Sequence, residues 1–312
     1  MASFRQASAT DAATLPQESM KPNLFIVGAP KCGTTAWVEY LRTHPDIFFP
    51  AVKEPHHFST DSGLRRRIAD RGSYLELYAD AGPARIVGDG SASHLYSKTA
   101  ARNIREFNPD AKVIILLRDR ASFLRSWHNE LYQNGAENIA DFEQAWRLSG
   151  RRDRRNTRRR FRAIELSDYK ACARFGEQVE RYFAEFPADR IRVFHFDDWS
   201  PDPRRTYLEI MRFLDVQDDG RTEFPRVNEA RRHRSVAIRR WLASPPRLIR
   251  APVRLIKSMT GRESLGLADK VQSLNSSIGY RAPPLPPRLV EEIERYYEDD
   301  DRLLEKRIWR AP

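Results

Sequence analysis

A short apolar run closed by glycine, Leu24-Phe25-Ile26-Val27-Gly28, constrains this chain more than any other feature. Four consecutive apolar side chains fit a strand covered on both faces, as strands of parallel sheets are. From Thr34 the apolar positions Trp37, Val38 and Leu41 recur at helical spacing, and Pro45 limits how far that helix continues. The segment between, Gly28-Ala29-Pro30-Lys31-Cys32-Gly33-Thr34-Thr35, has a Gly-x-x-x-x-Gly frame. In that place glycines let backbone amides approach an anion, the helix N-terminus adds partial positive charge, and two threonine hydroxyls add donors.

Three more strands are predicted at Arg85 to Gly88, Val113 to Leu117 and Ile191 to Phe196, the middle one apolar enough to be central. Ser97 can cap a helix carrying Ala100, Ala101, Ile104 and Phe107 on one face, which Asn108-Pro109 ends. Further helices are predicted from Ala121 to about Gln133 and from Ser167 to Phe186, with a last amphipathic one over 288–309. This alternation predicts the α/β class, a P-loop-like three-layer fold whose central, mostly parallel sheet is flanked by helices. Residues 1–21 read as a flexible leader and 22–312 as a single domain. Seven prolines between Pro245 and Pro287 make 241–287 an irregular cap.

A chain of 312 residues with 40% hydrophobic content buries one substantial core or two modest ones, which excludes a small disulfide-stapled module. Two distant cysteines, Cys32 and Cys172, suit a reducing compartment and cannot supply a four-ligand zinc site, so the expected location is cytoplasmic. No apolar run approaches the roughly 20 residues of a bilayer-spanning helix. The basic-apolar stretch 247–257 reads as a strip packed on the core, with peripheral membrane contact left open. A net charge of +11 favours anionic ligands or surfaces, and seven arginines within 151–160 form either a solvated face or a contact for an acidic acceptor.

The loop departs from that of nucleoside triphosphatases, because Thr34 follows the second glycine where they carry lysine, and Lys31 stands three residues earlier. Pro30-Lys31-Cys32-Gly33-Thr34-Thr35 after an apolar strand resembles the 5′-phosphosulfate loop of sulfotransferases that use 3′-phosphoadenosine 5′-phosphosulfate (PAPS). That family carries an arginine at the end of a later central strand and a serine eight residues on, matched here by Arg118 and Ser126. It usually has proline where this chain has Arg120. Lys53-Glu54-Pro55-His56-His57-Phe58 resembles the K-E-P-H-F-F segment of heparan-sulfate-type and related bacterial enzymes. Looser similarities lie in G-D-G-S-A-S at 88–93, H-F-D-D-W at 195–199 and P-R-V-N at 225–228, and together the matches cover about residues 22–240.

The resemblance implies transfer of a sulfuryl group from PAPS to an acceptor hydroxyl, with the bisphosphate PAP as product and no metal required. Lys31 would bind the 5′-phosphosulfate and neutralise the leaving oxygen, with Cys32, Gly33, Thr34 and Thr35 completing that cradle. Cys32 is read as a small residue the loop tolerates and not as a nucleophile. Arg118 and Ser126 would hold the 3′-phosphate, joined by one arginine of the 231–235 cluster, for which Arg234 is the choice. Glu54 is the expected base; His56 and His57 are rivals, His57 counted with the catalytic set. Lys53, His56, Asp89 and His94 are expected at the acceptor, a small molecule or glycan, anionic or lipid-linked. A P-loop kinase or hydrolase, and a basic nucleic-acid-binding protein without a specific binding module, are the alternatives.

Overall fold

The computed structural model describes residues 21–62, 68–134, 136–151, 168–227, 231–233, 276–278 and 284–308. Arg234, the arginine run beyond Arg151, residues 1–20 of the expected leader and most of the expected cap lie outside the described residues.

Five strands, β1 (Leu24–Gly28), β2 (Ile47–Phe48), β3 (Ile86–Asp89), β4 (Lys112–Leu117) and β5 (Ile191–His195), form one sheet in the order β2-β3-β1-β4-β5. Every pairing is parallel: Leu24 lies opposite both Gly88 and Lys112, Ile47 opposite Ile86, and Val113 opposite Ile191. The central place of β1 and β4 explains their continuous apolar runs, since helices cover both faces and Leu24–Val27 and Val113–Leu117 are buried. From β1 the chain builds β2 and β3 on one side and β4 and β5 on the other. The crevice beyond the C-terminal ends of β1, β3 and β4 is therefore a topological switch point, where open parallel sheets hold ligands.

Ten helices accompany the sheet among the described residues: α1 (Thr34–Arg42), α2 (Arg71–Glu76), α3 (Ala100–Phe107), α4 (Arg120–Gln133), α5 (Phe142–Arg147), α6 (Tyr169–Cys172), α7 (Phe175–Glu185), α8 (Phe196–Trp199), α9 (Pro203–Leu214) and α10 (Pro287–Ile308). Asp70, Asp119, Asp141, Asp168 and Asp202 each stand at a helix start and accept an orphan amide of its first turn. Ser97 does the same for α3, its hydroxyl accepting from Thr99 N at 3.2 Å and Ala100 N at 3.1 Å. A separate antiparallel pair joins β6 (Arg231–His233) to β7 (Ser276–Ile278).

The single helix expected over 167–186 is two, α6 and α7, interrupted at Ala173 and Arg174. The interruption is supported from α10 and α4. Asp300 of α10 accepts from Gly176 N at 2.8 Å and Glu177 N at 2.9 Å, capping α7, while Arg120 Nε donates to the freed Ala173 carbonyl at 3.0 Å. The strand expected to reach Phe196 stops at His195, because Phe196 opens the short helix α8. The strand expected over 85–88 runs one residue later, Ile86–Asp89.

Gly28 turns β1 into the loop at a φ of 144°, and a Cβ there would stand 2.6 Å from the Ala92 carbonyl oxygen and 2.7 Å from Leu95 Cβ. Neither neighbour can yield without moving backbone. Gly28→Ala is expected to lower the unfolding free energy by about 2–4 kcal/mol, read from urea denaturation, through backbone strain and overpacking together.

Candidate active site

The loop after β1 ends at Gly33, which caps α1 with a φ of 93° and lies against Trp199 of α8, where a Cβ would sit 2.3 Å from the indole. No side chain caps α1, so its first amides are left to face an incoming anion. Thr34 is buried and Thr35 half-buried at its start. Lys31 adopts a left-handed conformation, φ 65°, and its ammonium reaches Glu130 Oε2 on α4 at 3.5 Å. Burial pushes the Cys32 thiol far up, with Arg118 and Lys31 offsetting only part, so this cysteine stays protonated.

A second segment meets this loop. Lys53 donates from its ammonium to Thr35 Oγ1 and lies 3.3 Å from Glu54 Oε1, while His56 Nε2 lies 3.5 Å from Glu54 Oε2. Glu54 and His56 also take positive φ values, 56° and 54°. Three of the four non-glycine residues with positive φ among the described residues are thus Lys31, Glu54 and His56. Such conformations cost about 1–3 kcal/mol each and persist where surrounding contacts over-determine them.

For His56 those contacts come from the turn after β3. His56 N donates to Ser91 Oγ at 3.2 Å, His56 Nδ1 lies 2.7 Å from Ser93 Oγ, and Ser91 donates to Asp89 Oδ1 at 2.6 Å. Tyr74 donates to the other oxygen of Asp89 at 2.7 Å. His94 Nε2 stands 3.9 Å from Asp89 Oδ2, longer than a hydrogen bond, and His94 Nδ1 lies 2.6 Å from Ser59 Oγ. Asp89 and His94, expected to touch an acceptor, are fully buried, and Asp89 is linked to His56 through Ser91. Burial acts to raise the Asp89 pKa, and His94, Ser91 and Tyr74 together outweigh it, holding the carboxyl below its usual range.

His57 is placed apart from the Lys53-Glu54-His56 group. It stacks on Tyr74 at 4.2 Å with its ring nearly parallel, and its Nδ1 faces the Ile68 carbonyl at 3.3 Å. Arg118 stands just beyond β4 with its guanidinium 4.4 Å over the Phe196 ring, and Asp119 Oδ2 lies 3.6 Å from Nε. Ser126 is half-buried on α4. Around the loop, Trp37 Nε1, Trp199 Nε1 and Arg118 Nε are buried donors without a hydrogen-bond partner in the described structure. Orphan donors beside an uncapped helix start fit a ligand rich in acceptor oxygens and ring nitrogens.

A family model described as a sulfotransferase domain matches residues 21–233. The chain belongs to the sulfotransferase family. Its fold resembles that of a sulfotransferase from Alicyclobacillus acidocaldarius, with a TM-score of 0.58 and 26% identity, over 80% of this chain and 99% of that one. Carbohydrate sulfotransferase 15 of Mus musculus is 30% identical over 163 residues, 38% of this chain and 28% of the relative. Heparan sulfate glucosamine 3-O-sulfotransferase 6 of Mus musculus is 34% identical over 100 residues, 31% of this chain and 27% of the relative. The matches thus span less than a third of these curated relatives.

Around this site, sequence reasoning missed Glu130, Ser93 and the pair Phe196 and Trp199. Glu130 lies one helical turn beyond Ser126 on α4, a spacing that places both on one face. Ser93 lies in the G-D-G-S-A-S segment, yet its contact with His56 joins residues 37 apart in sequence. Among the described residues no helix is long and apolar enough to cross a membrane.

Because the Asp89 carboxyl titrates lower when folded than the roughly 3.9 of an unfolded aspartate, its contribution is complete above that value and is lost as pH falls through the folded pKa. The stability difference between the wild-type chain and Asp89→Asn, from urea denaturation, is expected to be constant above about pH 5 and to shrink below about pH 4. A difference that stays flat down to acid unfolding would remove Asp89 as the charged anchor of the turn.

Proposed function

We propose that this chain is a PAPS-dependent sulfotransferase that sulfates a hydroxyl of a glycan, free or lipid-linked, with Glu54 as general base. The observation that carries this reading is the Lys53 bridge: one ammonium contacts Thr35 on the anion-binding loop and lies 3.3 Å from Glu54 on the neighbouring segment. It ties a carboxylate to the rim of the loop, where an acceptor oxygen must lose its proton as it meets the sulfur. The family and the orphan donors around Gly33 and Arg118 support the nucleotide donor; carbohydrate-directed relatives support the glycan.

In the reaction the acceptor oxygen attacks sulfur in line with the leaving phosphate oxygen. One S–O bond forms as the other breaks, the acceptor proton passes to Glu54, and PAP leaves carrying the bond electrons. The chain's own part is positional and electrostatic. Backbone amides of the loop and the start of α1 hold the 5′ group, and the Lys31 ammonium neutralises the charge that grows on the leaving oxygen. Arg118 and Ser126 hold the 3′-phosphate, the guanidinium already oriented by Phe196. Cys32 and Cys172 are buried thiols outside any disulfide, which supports a reducing, cytoplasmic setting.

Calorimetry with 3′,5′-adenosine bisphosphate is expected to give metal-independent binding that Lys31→Ala and Arg118→Ala each weaken by about tenfold or more, one charge-assisted contact being worth at least that. Binding of magnesium-ATP in place of the bisphosphate would overturn the assignment. Glu54→Gln is expected to keep bisphosphate affinity while turnover falls about 10²–10³-fold, the usual share of a positioned base. Unchanged turnover would shift that role to His56.

A further inference from the structure

We propose that Arg120 is a positioning residue for the 3′-phosphate end of the donor site, acting through the buried carboxylate of Asp300 on α10. This inference rests on the assignment of PAPS as donor. Arg118 and Ser126 stand on either side of the start of α4, and Arg120 is the first residue of that helix. Whatever sets the direction of α4 at Arg120 sets where Ser126 lies relative to Arg118, since Ser126 is six residues along, roughly 9 Å of helix rise.

Arg120 is held from several sides. Its Nη2 donates to Asp300 Oδ2 at 2.7 Å, Nη1 to Asp301, and Nε to the Ala173 carbonyl at 3.0 Å, with the Tyr297 ring 4.9 Å and the Phe175 ring 5.4 Å from the guanidinium. Asp300 is itself 3% exposed and spends its remaining capacity capping α7 through Gly176 N and Glu177 N. The close approach of α10 is built in, because a Cβ on Gly176 would stand 2.0 Å from the Asp300 carbonyl oxygen. Two arginines two residues apart thus face opposite ways: Arg118 lies on Phe196, and Arg120 is locked between α7 and α10. The turn from β4 into α4 is clamped on both sides, and one clamp, Asp300, lies 180 residues away in sequence. Where the resemblance leads one to expect proline, whose fixed φ would stiffen this turn from within, a guanidinium stiffens it from outside.

The test compares two nucleotides on the full chain: 3′,5′-adenosine bisphosphate, and adenosine 5′-monophosphate, which lacks only the 3′-phosphate. Arg120→Lys keeps the charge and loses the planar fork that engages Asp300, Asp301 and Ala173 together. It is expected to weaken the bisphosphate about tenfold while leaving the monophosphate within about twofold, the signature of one misplaced contact. Equal weakening of both nucleotides would make the pair a structural staple only and overturn the proposal, as would an unchanged preference for the bisphosphate. If Arg120→Lys does not fold, Asp301→Asn releases one arm of the same guanidinium from a partly exposed partner and carries the same outcomes. A wild-type chain with no preference for the bisphosphate would instead overturn the donor assignment, and this proposal with it.

Discussion

The loop between β1 and α1 can receive an anion only because nothing but backbone stands at its two glycines. One side of it is closed by the Ala92–Leu95 turn against Gly28, the other by the Trp199 indole against Gly33. That indole does more than fill space. It meets Trp37 of α1 edge-on at 5.5 Å and Phe196 at 4.8 Å, and Phe196 in turn carries Arg118 at 4.4 Å. A continuous aromatic wall therefore runs from the helix start that would hold the 5′ group to the arginine that would hold the 3′ group. The separation of the two anion subsites is fixed by ring packing, which is stiff, and not by the long side chains that reach into them.

The opposing wall is polar and is held by one buried carboxylate. Asp89 orients Ser91, Ser91 receives the His56 amide, and His56 lies against Glu54, so the strained Glu54-Pro55-His56 segment hangs from the end of β3. Placing the anchor on a strand of the central sheet gives the expected base the rigidity of the sheet while the base itself stays about one-third exposed. A carboxylate that must meet an acceptor needs that exposure, and one that must meet it in a fixed direction needs the anchor.

Which parts of this were legible in the sequence follows from how local their causes are. The runs at β1 and β4 and the glycine frame between β1 and α1 are local signals, and the structure places them as expected. Arg118 and Ser126 are paired by the resemblance to the family's motif, and they fall at the end of β4 and on α4. The break between α6 and α7 could not be read, since one glycine, Gly176, does not by itself end a helix and the groups that stabilise the break, Arg120 and Asp300, lie on other elements. Two-residue β2 and the six-residue helices α2 and α5 carry too little periodicity to be seen. The enclosure of Asp89 and His94 was equally hidden: a polar turn after a strand reads as open until Tyr74, Ser59 and Tyr182 are known to pack over it.

The charges of the site carry one more consequence. Lys31, Lys53 and Arg118, the cations nearest the loop, each already face a carboxylate, Glu130 at 3.5 Å, Glu54 at 3.3 Å and Asp119 at 3.6 Å. All six groups are partly exposed, so these pairs are weak, and screening by salt keeps them so. An incoming anion does not meet bare cations; it exchanges for a carboxylate that stays within reach. A monoanion gains little by that exchange, because it replaces one single charge by another. A phosphate group gains more, since it brings higher charge and several oxygens to amides and hydroxyls that a carboxylate on a neighbouring element cannot reach. Such pairing would favour a multiply charged ligand over a single charge, by no more than exposed ion pairs are worth. It also leaves Glu54 beside Lys53, whose ammonium contacts Thr35 on the loop.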